Sequence, residues 1–334
     1  MNKKRILIFS LAYYPFVGGA EIAIKEITDR IFDIEFDLVT LRLDSATPTF
    51  ERVGNINVYR VGFGKQSPNM KDLVSFPWYI AKVVYPILAC AKARALHAEK
   101  KYDAVWAMMA YAGFAAVLFR WKYPKVPYIR TRQEGDSIEH ITKRWRILFV
   151  KPLLYRVFRA PFVIQTISSY LGEFAKSMGY TGRIEVIPNG VDIKKFKSAT
   201  ANSGTKNNDN KIKIITTSRL VNKNAVDNII QAMEFLPEKY ALEIIGSGPE
   251  EVKFKQLTNK LGVHMRVSFT GHVLPEEIPD RLHSADVFVR PSRSEGMGNS
   301  FIEAMAAGLP VVATSVGGIT DFLKDGETGL FCEV

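Results

Sequence analysis

Glu295 and Glu303 stand eight positions apart in DVFVRPSRSEGMGNSFIEAMAAGLPVVAT, and Arg219 and Lys223 stand four apart in SRLVNKN. Carboxylates so spaced can accept hydrogen bonds from hydroxyls or exchange protons with them. An arginine fork and a lysine point charge can converge on one diphosphate. Each pair also has a plainer reading. Ser300-x-x-Glu303 is a capping-box pattern, and two cations in a loop are commonly just solvated. No two of the five histidines share metal-ligand spacing, so no protein-bound metal is expected.

The neighbouring sequence predicts what positions these groups. Residues 287–289 read as a short buried strand, the Ser- and Gly-rich segment after it as a loop, and 300–307 as a helix. Gly308 closes that helix, Pro310 forbids its continuation, and 311–314 read as the next strand. Such a unit belongs to a parallel sheet, whose ligands bind outside the carboxyl ends of the strands, where Glu295 falls. With Ser300 as N-cap, the free N–H groups of Gly298 to Phe301 would face the same crevice and suit a phosphate or an electron-rich hydroxyl.

The rest of the chain alternates in the same way. Strands are expected at 5–10, 36–41, 56–61, 103–107, 126–131, 162–166, 184–187, 211–217, 241–245 and 267–270. Helices are expected at 20–32, 79–96 and 168–178. The pair Gly18-Gly19 before the first helix either makes a tight turn or lets backbone approach a phosphate. Residues 198–210, SATANSGTKNNDN, are polar and aperiodic. They read as a flexible linker dividing a domain of 1–197 from one of 211–334.

Glu295-x7-Glu303 followed by EAMAAGLPVVA resembles the retaining glycosyltransferases of family 4, glycosyl transferases group 1. The resemblance implies an α/β GT-B fold, two Rossmann-like domains facing a central cleft, the first binding the acceptor and the second the sugar nucleotide. It implies that Arg219 and Lys223 stabilise the leaving diphosphate as its charge grows. Glu303 would hold the ribose, and Glu295 with the backbone of Met297, Gly298, Asn299 and Ser300 the sugar hydroxyls. Gly18 and Gly19 would face the donor phosphates and the acceptor. Gly246 would lie near the nucleotide, and Val273 would hold the base through its backbone. The donor would be a UDP- or GDP-sugar, a substrate, with no cofactor required. No covalent nucleophile stands out, in keeping with transfer that retains anomeric configuration, to a lipid-linked or surface-polysaccharide precursor.

The chain departs from that family at two loops. Relatives carry histidines after the fourth and fifth strands, where this chain has WAMMAYAG (106–113) and RTRQEGD (130–136). Arg132, Gln133, Glu134 and Asp136 are candidates for the vacant role. Asn224 and Ala225 stand where relatives often continue Lys-Gly. Relatives usually run on through one or two further helices, so the sequence reads either as a piece of a longer protein or as one with an unusually short second domain. On the same plan an epimerase, a phosphorylase or a non-catalytic sugar-nucleotide-binding subunit is conceivable. Glycoside hydrolysis fits less well, because the cation pair implies a phosphate donor. A dinucleotide oxidoreductase is disfavoured, since no G-x-G-x-x-G follows the first strand.

Charge is unevenly placed. Residues 1–180 hold 27 Lys+Arg against 15 Asp+Glu, and 181–334 hold 18 against 19, within a total of +11. A basic first half beside a neutral second suggests an anionic partner, a lipid surface before nucleic acid, and no nucleic acid is expected. The segment 140–159 interleaves basic and apolar residues. It reads either as an interfacial helix on an anionic bilayer or as an ordinary helix packing inward with snorkelling cations. Two cysteines argue against a disulfide framework, and no uncharged apolar run reaches spanning length. The expected location is cytoplasmic, peripheral on the inner face of the membrane.

Overall fold

A computed structural model describes residues 3–68, 76, 78–133, 151–197 and 211–333. The chain forms two compact units, Met1–Ile187 and Pro188–Val334.

The first unit holds β1 (Lys4–Phe9), β2 (Ile34–Leu41), β3 (Phe50–Val53), β4 (Ile56–Val61), β5 (Ala104–Met108), β6 (Tyr128–Arg132), β7 (Val163–Thr166) and β8 (Arg183–Val186). They run in the order β3-β4-β2-β1-β5-β6-β7-β8, parallel except for the β3–β4 hairpin. Apolar side chains on both faces explain why the inner strands read as unbroken hydrophobic runs. Leu7 and Phe9 pack with Val39 and Leu41 under the helices Trp78–Glu99 and Met109–Lys122. Ile8 points the other way, joining Leu38 and Val58 beneath Ala20 and Ile24 of the Gly19–Thr28 helix.

That first helix stops at Thr28, short of the expected residue 32. The β3–β4 turn, which the sequence did not announce, ends it. Asn55 donates its side-chain amide to the carbonyls of Thr28 (3.1 Å) and Ile31 (2.6 Å), satisfying groups left free at a helix end.

Within the basic-apolar segment the described part is the helix Lys151–Arg159. Leu154, Val157 and Phe158 are buried, and Lys151, Arg156 and Arg159 are exposed. Here the inward-packing reading holds for the apolar stripe. Residues 140–150 lie outside the described residues. So do Glu134 and Asp136.

The second unit holds β9 (Ile212–Thr217), β10 (Tyr240–Ile245), β11 (Val267–Gly271), β12 (Val287–Arg290), β13 (Val311–Thr314) and β14 (Leu330–Cys332), in the parallel order β11-β10-β9-β12-β13-β14. Ile214 and Ile215 again serve opposite faces. One lies with Ile229, Ile230 and Met233, the other with Phe288, Phe301 and Ala304. The division between units falls at Ile187, ten residues before the expected 197. Its cause is the short helix Ile193–Lys197, whose Phe196 is buried in the core of the second unit. The linker expected at 198–210 lies outside the described residues. Among the described residues no helix is long and apolar enough to cross a membrane.

Candidate functional site

In the second sheet β9 is followed outward by β10 on one side, while β12 leads to β13 on the other. The strand order therefore reverses between β9 and β12, where open α/β sheets bind ligands beyond their carboxyl ends. The loops leaving these two strands carry Arg219, Lys223, Asn224 and Glu295. At the centre sits a residue that the sequence reading passed over. Arg290, the last of β12, is only 8% exposed. Its Nη2 donates to Glu295 Oε2 at 2.7 Å and to Asn224 Oδ1 at 3.0 Å, and its Nη1 donates to Ser300 Oγ at 2.6 Å. The second Glu295 oxygen accepts from the Gly296 N–H at 3.1 Å.

The helix over the crevice runs Asn299–Ala306, with Gly298 as N-cap at φ +84°. Ser300 is therefore not the N-cap, and the expected capping box with Glu303 does not form. A left-handed glycine starts the helix two residues early, and Arg290 takes the Ser300 hydroxyl. Glu303 then lies beyond the first helical turn, free of any capping duty. Burial pushes its carboxyl above the ordinary carboxylate range, opposed by the nearby Arg290 charge. A desolvated carboxylate close to the Arg290 charge is the kind of group that binds hydroxyls or moves protons. Met297 is buried, and Asn299 and Ser300 are half-buried.

Contacts distant in sequence fasten the Glu295 loop. Arg293 clamps Asp227 with two bonds of 3.0 and 2.8 Å and donates its backbone N–H to the Lys223 carbonyl at 2.7 Å. Gly317, at φ +58°, lies so close that a Cβ there would stand 1.9 Å from the Glu295 carbonyl oxygen. No other residue fits. The Glu295 loop is thus bolted both to the turn after β9 and to the loop after β13.

Within the β9 turn Asn224, 2% exposed, is the inward residue. Its amide donates to the Arg219 carbonyl at 2.6 Å. Arg219 itself is exposed and Lys223 half-buried. Ala225 follows at φ +51°, a conformation that suits glycine. Ala225→Gly is expected to stabilise the protein by up to about 1 kcal/mol, the relief of left-handed strain outweighing the added freedom of the unfolded chain. Thermal unfolding of the pair of proteins measures it, and a less stable variant would contradict the strained assignment.

The remaining expected groups fall at the rim or elsewhere. Gly246 and Gly271 adjoin at the ends of β10 and β11, the N–H of the first donating to the carbonyl of the second at 2.7 Å, and Val273 packs half-buried against the core of the second unit. In the first unit the Gly18 N–H is already taken by Glu21 Oε2 at 2.8 Å, so it is not the open phosphate donor the glycine pair suggested. A Cβ on Gly19 would meet nothing within 4 Å, and that residue keeps the open approach. Burial raises the Glu21 carboxyl against two backbone hydrogen bonds. Arg132, one of the candidates for the vacant histidine role, is a buried residue at the end of β6. It is 1% exposed, its guanidinium 3.3 Å from the centre of the Phe174 ring. Gln133 is half-buried.

Two doubly wound parallel-sheet units define the GT-B class. The solved structure of sucrose-phosphate synthase from Thermosynechococcus elongatus matches with a TM-score of 0.80 over 99% of this chain and 86% of that one, at 19% identity. Anabaena HepE in complex with UDP-glucose matches with a TM-score of 0.73 over 98% and 85%, at 20% identity. A family profile described as Glycosyl transferases group 1 matches residues 199–334, and one described as Glycosyl transferase 4-like domain matches 27–190. The chain belongs to this glycosyltransferase family. It is 30% identical over 253 residues to a GDP-mannose-dependent alpha-(1-6)-phosphatidylinositol monomannoside mannosyltransferase of Mycobacterium tuberculosis, a match covering 71% of this chain and 64% of that protein.

Proposed function

We propose that the protein transfers a hexose, with retention, from a nucleotide-diphosphate sugar to a lipid-linked or surface-polysaccharide acceptor. The observation that carries this reading is the crevice between β9 and β12. It gathers Glu295 and Ser300 on Arg290 and leaves Glu303 desolvated and uncommitted. In this reading Glu303 takes the ribose hydroxyls, and Glu295 with the 297–300 backbone takes those of the sugar. Arg219 and Lys223 neutralise the departing diphosphate. The nucleotide is the donor substrate, and no cofactor takes part.

A thermal-shift panel with UDP, GDP, ADP and their sugar conjugates tests it, with GDP-mannose first because of the mannosyltransferase relative. At a hundred times its dissociation constant a ligand stabilises by about 2.7 kcal/mol, several degrees for a unit of this size. One base series should shift the wild type. No response to any nucleotide would sink the reading.

The acceptor side is proposed to work as a peripheral protein at an anionic bilayer. On the Trp78–Glu99 helix Ile80, Val83 and Ile87 lie on one face, spaced by three and four residues, and are 42%, 47% and 63% exposed. The surrounding half of the chain is strongly basic, the combination that favours an interfacial seat. Val83→Glu with Ile87→Glu is expected to cut sedimentation with phosphatidylglycerol vesicles about tenfold or more, from the lost apolar area and the added repulsion. Unchanged sedimentation removes this face from the membrane proposal.

A further inference from the structure

We propose that Arg290 is a positioning residue that sets the hydrogen-bond polarity of the sugar-binding end of the crevice. The proposal rests on the donor reading above. One guanidinium joins four separate pieces of the unit: the end of β12, the turn at Asn224, the loop at Glu295 and the first turn of the Asn299–Ala306 helix. A buried arginine–carboxylate pair contributes little to stability by itself. Its effect here is directional.

A hydroxyl offers one proton and two lone pairs. Because Arg290 donates to Ser300 Oγ, that lone pair is occupied and the Ser300 proton turns outward as a donor. Glu295 is pinned on one oxygen by Arg290 and on the other by Gly296, and its remaining lone pairs are acceptors only. The crevice thus presents a fixed acceptor, Glu295, next to a fixed donor, the Ser300 hydroxyl, the complement of neighbouring hydroxyls on a sugar ring. Asn224 completes the clamp through its Oδ1 and is itself held by the Arg219 carbonyl. A lysine at 290 would keep the charge. Its single ammonium lacks the planar fork that reaches Asn224, Glu295 and Ser300 at once.

The test compares GDP and UDP with GDP-mannose and UDP-glucose on wild type, Arg290→Lys, Arg290→Met, Glu295→Gln and the Arg290→Met/Glu295→Gln double variant, by titration calorimetry. The expected result is a loss of about tenfold or more in sugar-conjugate affinity for either Arg290 variant, with the free nucleotide diphosphate changed less than about twofold. If Arg290 acts through Glu295, the double variant binds the conjugate no worse than Glu295→Gln alone. Should Arg290→Met fail to fold, Arg290→Lys gives the same comparison. Equal loss on free and conjugated nucleotide would mean direct phosphate contact and overturn the proposal, as would fully additive losses. Wild-type binding with Arg290→Lys unchanged overturns this proposal alone. Failure of the wild type to bind any nucleotide overturns the donor reading and this proposal with it.

Discussion

Glu295→Ala is expected to be the most damaging single change in the second unit, lowering stability by about 3–5 kcal/mol and transfer activity about a hundredfold. The stability loss has a specific cause. Arg290 remains buried when its carboxylate is removed, and an uncompensated buried charge costs far more than the pair contributes. For a unit of this size the loss corresponds to a fall in Tm on the order of 10 °C. The activity loss has another cause, the missing acceptor for sugar hydroxyls. The two effects separate in the double variant Arg290→Met/Glu295→Met. Apolar side chains of similar volume remove both charges together, so Tm should return to within a few degrees of wild type while activity stays lost. Unfolding followed by calorimetry and a transfer assay read the two quantities independently. A Glu295→Ala protein that melts with the wild type would show that the Arg290–Glu295 pair is not closed in solution.

Glu303→Gln is expected to move stability and binding in opposite directions. Burial raises the Glu303 carboxyl above its ordinary value of 4.5, so the folded protein holds that proton more tightly than the unfolded chain. The group therefore favours folding below pH 4.5, and this contribution is lost as pH rises through the raised folded value. At pH 7 the ionised carboxylate is a net cost, and the neutral amide removes it. The ligand-free variant should melt above the wild type at pH 7, with the difference closing as pH falls toward 4. Nucleotide affinity should fall about 10- to 100-fold, because an amide is a weaker acceptor for ribose hydroxyls than a charged carboxylate. In the wild type the nucleotide-induced thermal shift should fade on acidification at a higher pH than an unperturbed glutamate would give. A variant that is both less stable and equally tight in binding would contradict the placement of Glu303.

Much of the frame was legible in the sequence because it depends on local signals. Buried strands such as Lys4–Phe9 and Val311–Thr314 declare themselves by unbroken apolar runs, and Gly308 and Pro310 mark the end of the helix between β12 and β13. The Ser168 cap on the Ser169–Ser177 helix is as local, its hydroxyl accepting from the Leu171 N–H. The β3 strand was not legible, since FERV has neither length nor a clean apolar face, and only pairing with β4 makes it a strand. Residues 188–197 looked like the tail of the first unit. Phe196 assigns them to the second because its burial depends on a core assembled from later residues, from Ile215 to Leu323.

The candidate site divides along the same line. Its ingredients, two glutamates, a helix after a Gly-rich loop and a basic turn, follow from residue types and short spacings. By itself the sequence determined a parallel α/β chain of two units with acidic groups beyond the end of a late strand. The tertiary structure alone decided what those groups face. Ser300 looked like a cap and is instead an acceptor for Arg290, while Asn224, not Lys223, is the inward residue of its turn. Arg290 meets Asn224 across 66 positions, and Arg293 meets Asp227 across the same separation. Partnerships of that range carry no periodic or propensity signal. They exist because β9 and β12, remote in the chain, lie side by side in the sheet and bring their carboxyl ends to one crevice.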